Sequence, residues 1–140
     1  MKKLFLYLFL VLLFFGNVLA ESTKKYEKLN QLFNQLKKSN DVSTAIKIEI
    51  KIWNIWSTHP TQEKLTNSLA IGSKLMSRGE LDSAYKIFST IVESEPDWAE
   101  GWNKRATVLY LMGKYLDSLK DIEEVLKRES RHLVLCLDRL

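Results

Sequence analysis

The stretch that decides the fold is residues 79–96, which read GELDSAYKIFSTIVESEP. Its pattern returns 34 positions later in residues 113–130, which read GKYLDSLKDIEEVLKRES. Each stretch opens with a glycine, Gly79 or Gly113, followed by apolar residues at the three- and four-residue spacing of an amphipathic helix. A fixed period of this length indicates a repeat protein, in which each unit buries its apolar face against its neighbour.

The same helical spacing runs through most of the chain after Ala20, and breaks between the periodic runs divide it. Gly79 and Gly113 each follow a periodic run and are expected to take the left-handed conformation that ends a helix. Asp97 and Glu100 have the spacing of a capping box at the start of the fifth helix. The pattern predicts six helices, over residues 24–38, 42–57, 62–78, 82–94, 98–112 and 115–128.

The two copies, residues 65–98 and 99–132, resemble the tetratricopeptide repeat (TPR) family. In the first copy Ala84, Phe88 and Pro96 reproduce the spacing of the family's second-helix signature. The resemblance implies an all-α, TPR-like solenoid of antiparallel helix pairs with about two and a half repeats, which would follow the signal peptide described below. The residues that it assigns to packing between helices are Gly72, Ala84, Phe88, Pro96, Trp102, Ala106 and Gly113.

The resemblance also implies how the helices meet. Small residues allow close approach, so Gly72 or Ala106 is expected to face Ala84 or Ser118, while large residues such as Trp102 and Ile122 fill the space between repeats. Residues 100–113 further resemble a group of exported α-proteobacterial TPR proteins. Residues 21–60 match poorly and are interpreted as a degenerate capping helix pair before the two repeats in residues 61–132. The departures from the family pattern are Ser68, Arg105, Ser118 and Ser130.

The N-terminus has the layout of a secretory signal peptide. Lys2 and Lys3 precede an apolar run from Leu4 to Phe15, and Ala20 stands at the expected cleavage position. We therefore expect residues 1–20 to direct the chain to the periplasm or outside a bacterial cell. An uncleaved anchor in the inner membrane is the alternative.

The last eight residues, 133–140, read LVLCLDRL and fit a polar C-terminal cap poorly. They are interpreted either as the start of a third repeat or as a frameshifted tail. Cys136 is the only cysteine, so the sequence offers it no partner for a disulfide within the chain.

The composition argues against several functions. The net charge is only +4, and acidic residues are interleaved with the basic ones, which disfavours a nucleic-acid-binding face. No phosphate-binding glycine loop or catalytic constellation stands out, so we expect no enzyme activity, metal or cofactor. His59 and His132 lack further ligands at metal spacing and are assigned to caps or turns.

A protein-interaction role follows from the resemblance, because the first helices of such repeats line a concave groove that receives peptides. We expect a non-catalytic adaptor or scaffold of the bacterial cell envelope that binds another protein. Association of two copies as a homodimer is left as an open alternative. The alternative is a cell-wall or carbohydrate-binding module that uses exposed tryptophans among Trp53, Trp56, Trp98 and Trp102. The predicted groove residues are Leu69, Ser73, Met76, Glu100, Asn103, Lys104, Thr107 and Tyr110.

Overall fold

A computed structural model describes residues 23–133, which form helices joined by short turns and contain no strand. The six predicted helices are confirmed, with their ends displaced by at most one residue. Helix α1 covers residues 23–38 of the described chain. The remaining helices are α2 (Val42–Trp56), α3 (Glu63–Ser77), α4 (Leu81–Ser94), α5 (Ala99–Leu111) and α6 (Tyr115–Arg128).

The chain divides into two compact units, residues 1–55 and 56–140. The division falls within α2, a few residues before the boundary predicted at residue 60. In the described part of the first unit, α2 is capped by Asp41, whose carboxylate accepts a hydrogen bond from the Thr44 amide at 2.8 Å. The buried apolar residues of this unit are Leu29, Leu32, Ile48 and Ile52.

In the second unit each helix packs against the next, and the first helices of the two pairs, α3 and α5, also touch. The pairs α3–α4 and α5–α6 therefore form successive units of the predicted all-α, TPR-like helical repeat. The core between them is built from Leu65, Leu69, Ala84, Phe88, Ile91, Trp98 and Val108.

The glycines between paired helices have the predicted left-handed backbone. Gly79 has a φ of +79° and Gly113 a φ of +75°. After Gly79, the amide of Glu80 donates a 3.0 Å hydrogen bond back to the Leu75 carbonyl. The same turn follows α5, so both helices end in a C-terminal motif that glycine accommodates without a Cβ clash.

Helices α3 and α4 meet closely at Gly72. A Cβ atom at this position would lie 2.6 Å from Cε1 of Phe88, far inside normal contact distance. The prediction that a small residue allows close approach here is confirmed, although Phe88 and Ile87, rather than Ala84, lie nearest to Gly72.

Two departures from the family pattern have a structural reason. The buried hydroxyl of Ser118 donates a 2.9 Å hydrogen bond to the Ala106 carbonyl, which satisfies the polar atom that replaces alanine's methyl group. Arg105 replaces the usual aliphatic residue and forms two hydrogen bonds, of 2.7 and 2.8 Å, with the carboxylate of Asp121. Polar contacts therefore join α5 to α6 at positions where the repeat pattern predicts an aliphatic residue and an alanine.

Two expectations are wrong. The N-cap of α5 is Trp98, no side chain caps this end, and Glu100 lies buried in the interior, so Asp97 and Glu100 form no capping box. Ile122 does not fill a closed space between repeats, because its side chain is 40% exposed.

The predicted signal peptide and all but the first residue of the 133–140 segment lie outside the described residues. No helix within residues 23–133 combines the length and the apolar character needed to cross a membrane.

Candidate functional site

An apolar pocket opens between α5, α6 and residues 132–133, which follow the turn after α6. Its volume is about 350 Å³, enough for one or two large apolar side chains of a partner. The residues that line it are Asn103, Ala106, Thr107, Tyr110, Ser118, Ile122, Val125, Leu126, His132 and Leu133.

The α5 wall of the pocket contains three of the predicted groove residues, Asn103, Thr107 and Tyr110. Their spacing of four and three residues places them on one face of the helix. Thr107 and Tyr110 are exposed, while Asn103 is half-buried. The structure thus brings part of the predicted groove and the open side of α6 together in one cavity.

Several polar atoms of the lining are already engaged within the protein. The Thr107 hydroxyl donates to the Asn103 carbonyl at 2.9 Å, and the Ser118 hydroxyl donates to the Ala106 carbonyl. The Asn103 amide donates to Glu100 at 3.0 Å. The surface that the pocket offers is therefore mainly apolar, which suits an aliphatic or aromatic side chain better than a sugar or a phosphate.

A buried carboxylate lies behind this wall. Glu100 as a whole residue is only 1% exposed, and burial raises the pKa of its carboxyl above the ordinary value. Its Oε1 lies 3.4 Å from the Lys104 ammonium and accepts a long hydrogen bond of 3.5 Å from Ser57. Asn103 and Lys104, the two side chains that would suit a partner's carboxylate, are thus directed at a carboxylate of the chain itself.

His132 connects the pocket with the interior. Its ring lines the pocket, stacks on the Trp56 ring at 3.8 Å between centroids, and places Nε2 3.8 Å from Oε2 of Glu100. Burial lowers the pKa of His132 to about 4. The imidazole is therefore neutral near pH 7, as a buried wall of an apolar pocket requires.

The remaining predicted groove residues lie elsewhere. Leu69 is 3% exposed and belongs to the core, and Glu100 is interior, so neither side chain faces a groove as predicted. Met76 packs partly against the same core, and Ser73 and Lys104 are half-buried. The α3 part of the predicted groove therefore offers little free side-chain surface.

Of the packing residues, Gly72, Ala84, Phe88 and Ala106 are buried as expected. Trp102 is half-buried, donates from Nε1 to the Pro96 carbonyl at 2.8 Å, and has the guanidinium groups of Arg105 and Arg128 each 4.9 Å from its ring centroid. It therefore joins the start of α5 to the end of α6 through cation–π contacts. The Pro96 ring itself is exposed.

Sequence reasoning missed the cluster formed by Trp56, Glu100 and His132. The spacing of Glu100, Asn103 and Lys104 places all three on one helix face, which was an available signal for an internal ion pair. His132 does not lie in a turn, contrary to the prediction, because the turn is at residues 130–131 and His132 begins the helical segment after it, with its ring buried. His59 does act in a turn, since its Nδ1 accepts hydrogen bonds from the amides of Thr61 and Gln62.

The tryptophans give no support to a carbohydrate site. Trp56 and Trp98 are 4% and 8% exposed, and Trp53 and Trp102 are half-buried, so the expectation of exposed indoles is wrong. The Trp98 indole N–H also donates a 3.0 Å hydrogen bond to the Trp56 carbonyl. Within residues 23–133, no three His, Cys, Asp or Glu side chains cluster in a way that could hold a metal ion.

Successive helix pairs with a pocket on the side of a first helix define an all-α helical-repeat protein. A TPR repeat-containing protein of the α-proteobacterium Rhizobium etli is 32% identical to this chain over 120 residues. The alignment covers 83% of this chain and 58% of that protein, so the chain spans less than two thirds of the relative's length. No family model and no solved structure matches the chain. The 34-residue repeat, the fold and this similarity support a relationship of this chain to the TPR family.

Proposed function

We propose that this chain is a non-catalytic protein-interaction module that holds an apolar segment of a partner protein. The observation that carries the proposal is the overlap of two independent features. Asn103, Thr107 and Tyr110 were assigned to a groove by the repeat pattern, and the same three residues line the 350 Å³ apolar pocket. An apolar helix or extended segment with one or two large side chains suits this pocket.

The partner gains affinity by burying an anchor side chain against Ile122, Val125 and Leu126 on the α6 wall. Burial of one large apolar side chain contributes about 2–3 kcal/mol. Thr107 and Tyr110 stand exposed on the α5 wall and make the outer contacts. The neutral imidazole of His132 completes the apolar surroundings.

The test uses a substitution that fills the pocket without disturbing the core. Thr107→Trp places a large ring in the cavity from an exposed helix position. The matched control is Thr90→Trp on α4, because Thr90 is also exposed, its hydroxyl also bonds to the carbonyl four residues earlier, and it lines a separate cavity between α3 and α4. The full chain and both variants are used as baits in an envelope extract, and captured proteins are compared.

A specific partner that is kept by Thr90→Trp and lost by Thr107→Trp supports the proposal. A partner that both variants retain would place the binding surface elsewhere. A full chain that captures nothing beyond the background of a blank resin would contradict the interaction role.

The proposed location is the bacterial cell envelope, and it rests on the composition of residues 1–20. Met1-Lys2-Lys3, the apolar run and Ala20 have the order of a secretory signal peptide. N-terminal sequencing of the protein recovered from the periplasm should begin at Glu21. A product that still begins at Met1 and sediments with the inner membrane would favour the anchored form, and recovery from the cytoplasm alone would contradict export.

A further inference from the structure

A second cavity lies between α3 and α4, in the first copy of the repeat. Its volume is about 340 Å³, which leaves room for one large side chain. Buried Leu65 and Ile91 contribute apolar surface to it. The half-buried Ser68 and the exposed Thr90 and Ser94 contribute small polar side chains. The cavity therefore combines an apolar surface with hydroxyl groups.

The second copy of the repeat fills the corresponding positions with its own side chains. There the Trp102 indole donates to the Pro96 carbonyl at 2.8 Å, and the Arg128 guanidinium lies 4.9 Å from the centroid of the indole. Arg128 also donates to the Pro96 carbonyl, so these three residues form one contact group. The residues 34 positions earlier are Gln62, Ser68 and Ser94, and all three line the cavity between α3 and α4.

This register explains why the first copy contains a cavity. Successive repeats place equivalent residues at equivalent positions, and the side chains of Ser68 and Ser94 are much smaller than those of Trp102 and Arg128. The first copy therefore lacks the indole and the guanidinium that fill these positions in the second copy. Ser68, one of the departures from the family pattern, thus leaves space of the kind that an indole fills elsewhere in the same chain.

The polar groups of the cavity suit an indole that comes from outside the chain. The hydroxyls of Thr90 and Ser94 donate to the carbonyls of Lys86 and Ile91, each at 3.1 Å. Their oxygens keep lone pairs that can accept a hydrogen bond from an indole N–H. The exposed Lys64 also lines the cavity and provides a cation for the face of an aromatic ring, as arginine guanidinium groups do in the second copy.

We propose that the cavity between α3 and α4 is a second binding site, which takes the indole side chain of a tryptophan in a partner protein. The bound ring packs on Leu65 and Ile91 beside Lys64, at the position equivalent to that of Trp102 in the second copy. No residue of this cavity lines the pocket between α5 and α6, so the proposal goes beyond the interaction function described above.

The first experiment titrates the full, isotope-labelled chain with N-acetyl-L-tryptophanamide and follows the backbone amide resonances by NMR. Saturable shifts should centre on the α3 and α4 residues that line the cavity, and N-acetyl-L-leucinamide should cause none. Equal shifts with the leucine compound, or shifts that centre elsewhere, overturn the proposal. Free L-tryptophan that binds more tightly than the blocked residue overturns a partner protein as the source of the indole.

Substitutions then test where the ring binds. Ser68→Trp supplies the indole from the chain itself and should abolish binding of N-acetyl-L-tryptophanamide. Ser77→Trp is the control, since Ser77 is an exposed serine of the same helix that lines neither cavity. Lys64→Gln should weaken binding about two- to fivefold, the loss expected for an exposed cation–π contact. Binding that is equal in the wild type and in Ser68→Trp overturns the proposal.

The stability of these variants gives a readout that needs no ligand. Ser68→Trp should unfold at a higher urea concentration than Ser77→Trp, because it buries an indole in space that is already present. A Ser68→Trp chain that is no more stable than Ser77→Trp shows that the cavity does not fit an indole and overturns the proposal. Neither measurement uses a partner protein, so failure here is distinguishable from failure of the capture experiment with Thr107→Trp.

Discussion

The imidazole of His132 stacks on the indole of Trp56, with 3.8 Å between ring centroids and 18° between ring planes. Trp56 comes before α3 and His132 after α6, so the contact joins the two ends of the described part of the second compact unit. Trp98, at the start of α5, donates to the Trp56 carbonyl and extends the same cluster. A histidine whose pKa is lowered by burial therefore contributes to the contact between the two ends of this unit.

The pKa of His132 predicts how stability depends on pH. In the unfolded chain the imidazole takes up a proton near pH 6.5, whereas in the folded chain burial lowers its pKa to about 4. The contribution of the neutral His132 imidazole to folding stability is therefore complete above about pH 6.5, and it is lost as the pH falls toward 4. The loss reaches at most roughly 3 kcal/mol, since each pH unit in this window is worth about 1.4 kcal/mol. Urea unfolding at a series of pH values measures it.

The charges around His132 modify this dependence of stability on pH. Glu129 favours the protonated imidazole, while Lys104 and Arg131 oppose it. The raised pKa of Glu100 acts in the opposite direction, because the folded chain then binds a proton before the unfolded chain does. His132→Phe keeps an aromatic ring on Trp56 but cannot be protonated, so the difference between variant and wild type isolates the histidine. An identical pH dependence in both proteins would contradict the assignment.

The close approach of α3 and α4 at Gly72 gives a second prediction about the stability of the fold. Gly72→Ala would bring a methyl group to 2.6 Å from the Phe88 ring, and overpacking of this kind costs about 1–3 kcal/mol. The higher helix propensity of alanine recovers about 1 kcal/mol at most. Chemical unfolding should therefore show a net loss of stability. In a Phe88→Leu background the same substitution should cost less, and equal costs in both backgrounds would disprove the clash.

The helices and the repeat were predictable from sequence because both depend on local patterns. Apolar spacing located all six helices, and Gly79 and Gly113 marked helix ends that only a left-handed residue completes. A 34-residue period then determined which helices pair. These features follow from backbone geometry and one-dimensional periodicity, so no knowledge of distant contacts was required.

The site was predictable only on the face of α5. Asn103, Thr107 and Tyr110 follow from helix periodicity, but the α6 wall and His132 depend on how the turn after Arg128 runs. Glu100 was misplaced because its spacing from Asp97 suits a capping box, whereas its spacing from Lys104 suits a buried ion pair. Burial distinguishes these two roles, and burial of a single acidic residue arises from the packing of several helices.

The contact between Arg105 and Asp121 gives a third prediction about stability. It tests whether the residue usual in the repeat is tolerated at position 105 when Asp121 stays in place. Their side chains are 18% and 6% exposed and are joined by two hydrogen bonds. Arg105→Leu alone returns the position to the aliphatic residue usual in the repeat, yet it leaves the Asp121 carboxylate buried without its partner. We expect a loss of about 2–4 kcal/mol in the free energy of unfolding.

Removing both charges tests the reason for that loss. Arg105→Leu combined with Asp121→Ala should recover most of the stability, because no unpaired charge then remains in the interface between α5 and α6. Asp117→Ala, which removes an exposed ion pair on the same helix, is the control and should leave the unfolding transition unchanged. If the double substitution is as unstable as Arg105→Leu alone, the stability lies in the packing of the Arg105 stem, including its cation–π contact with Trp102, rather than in the charge pair.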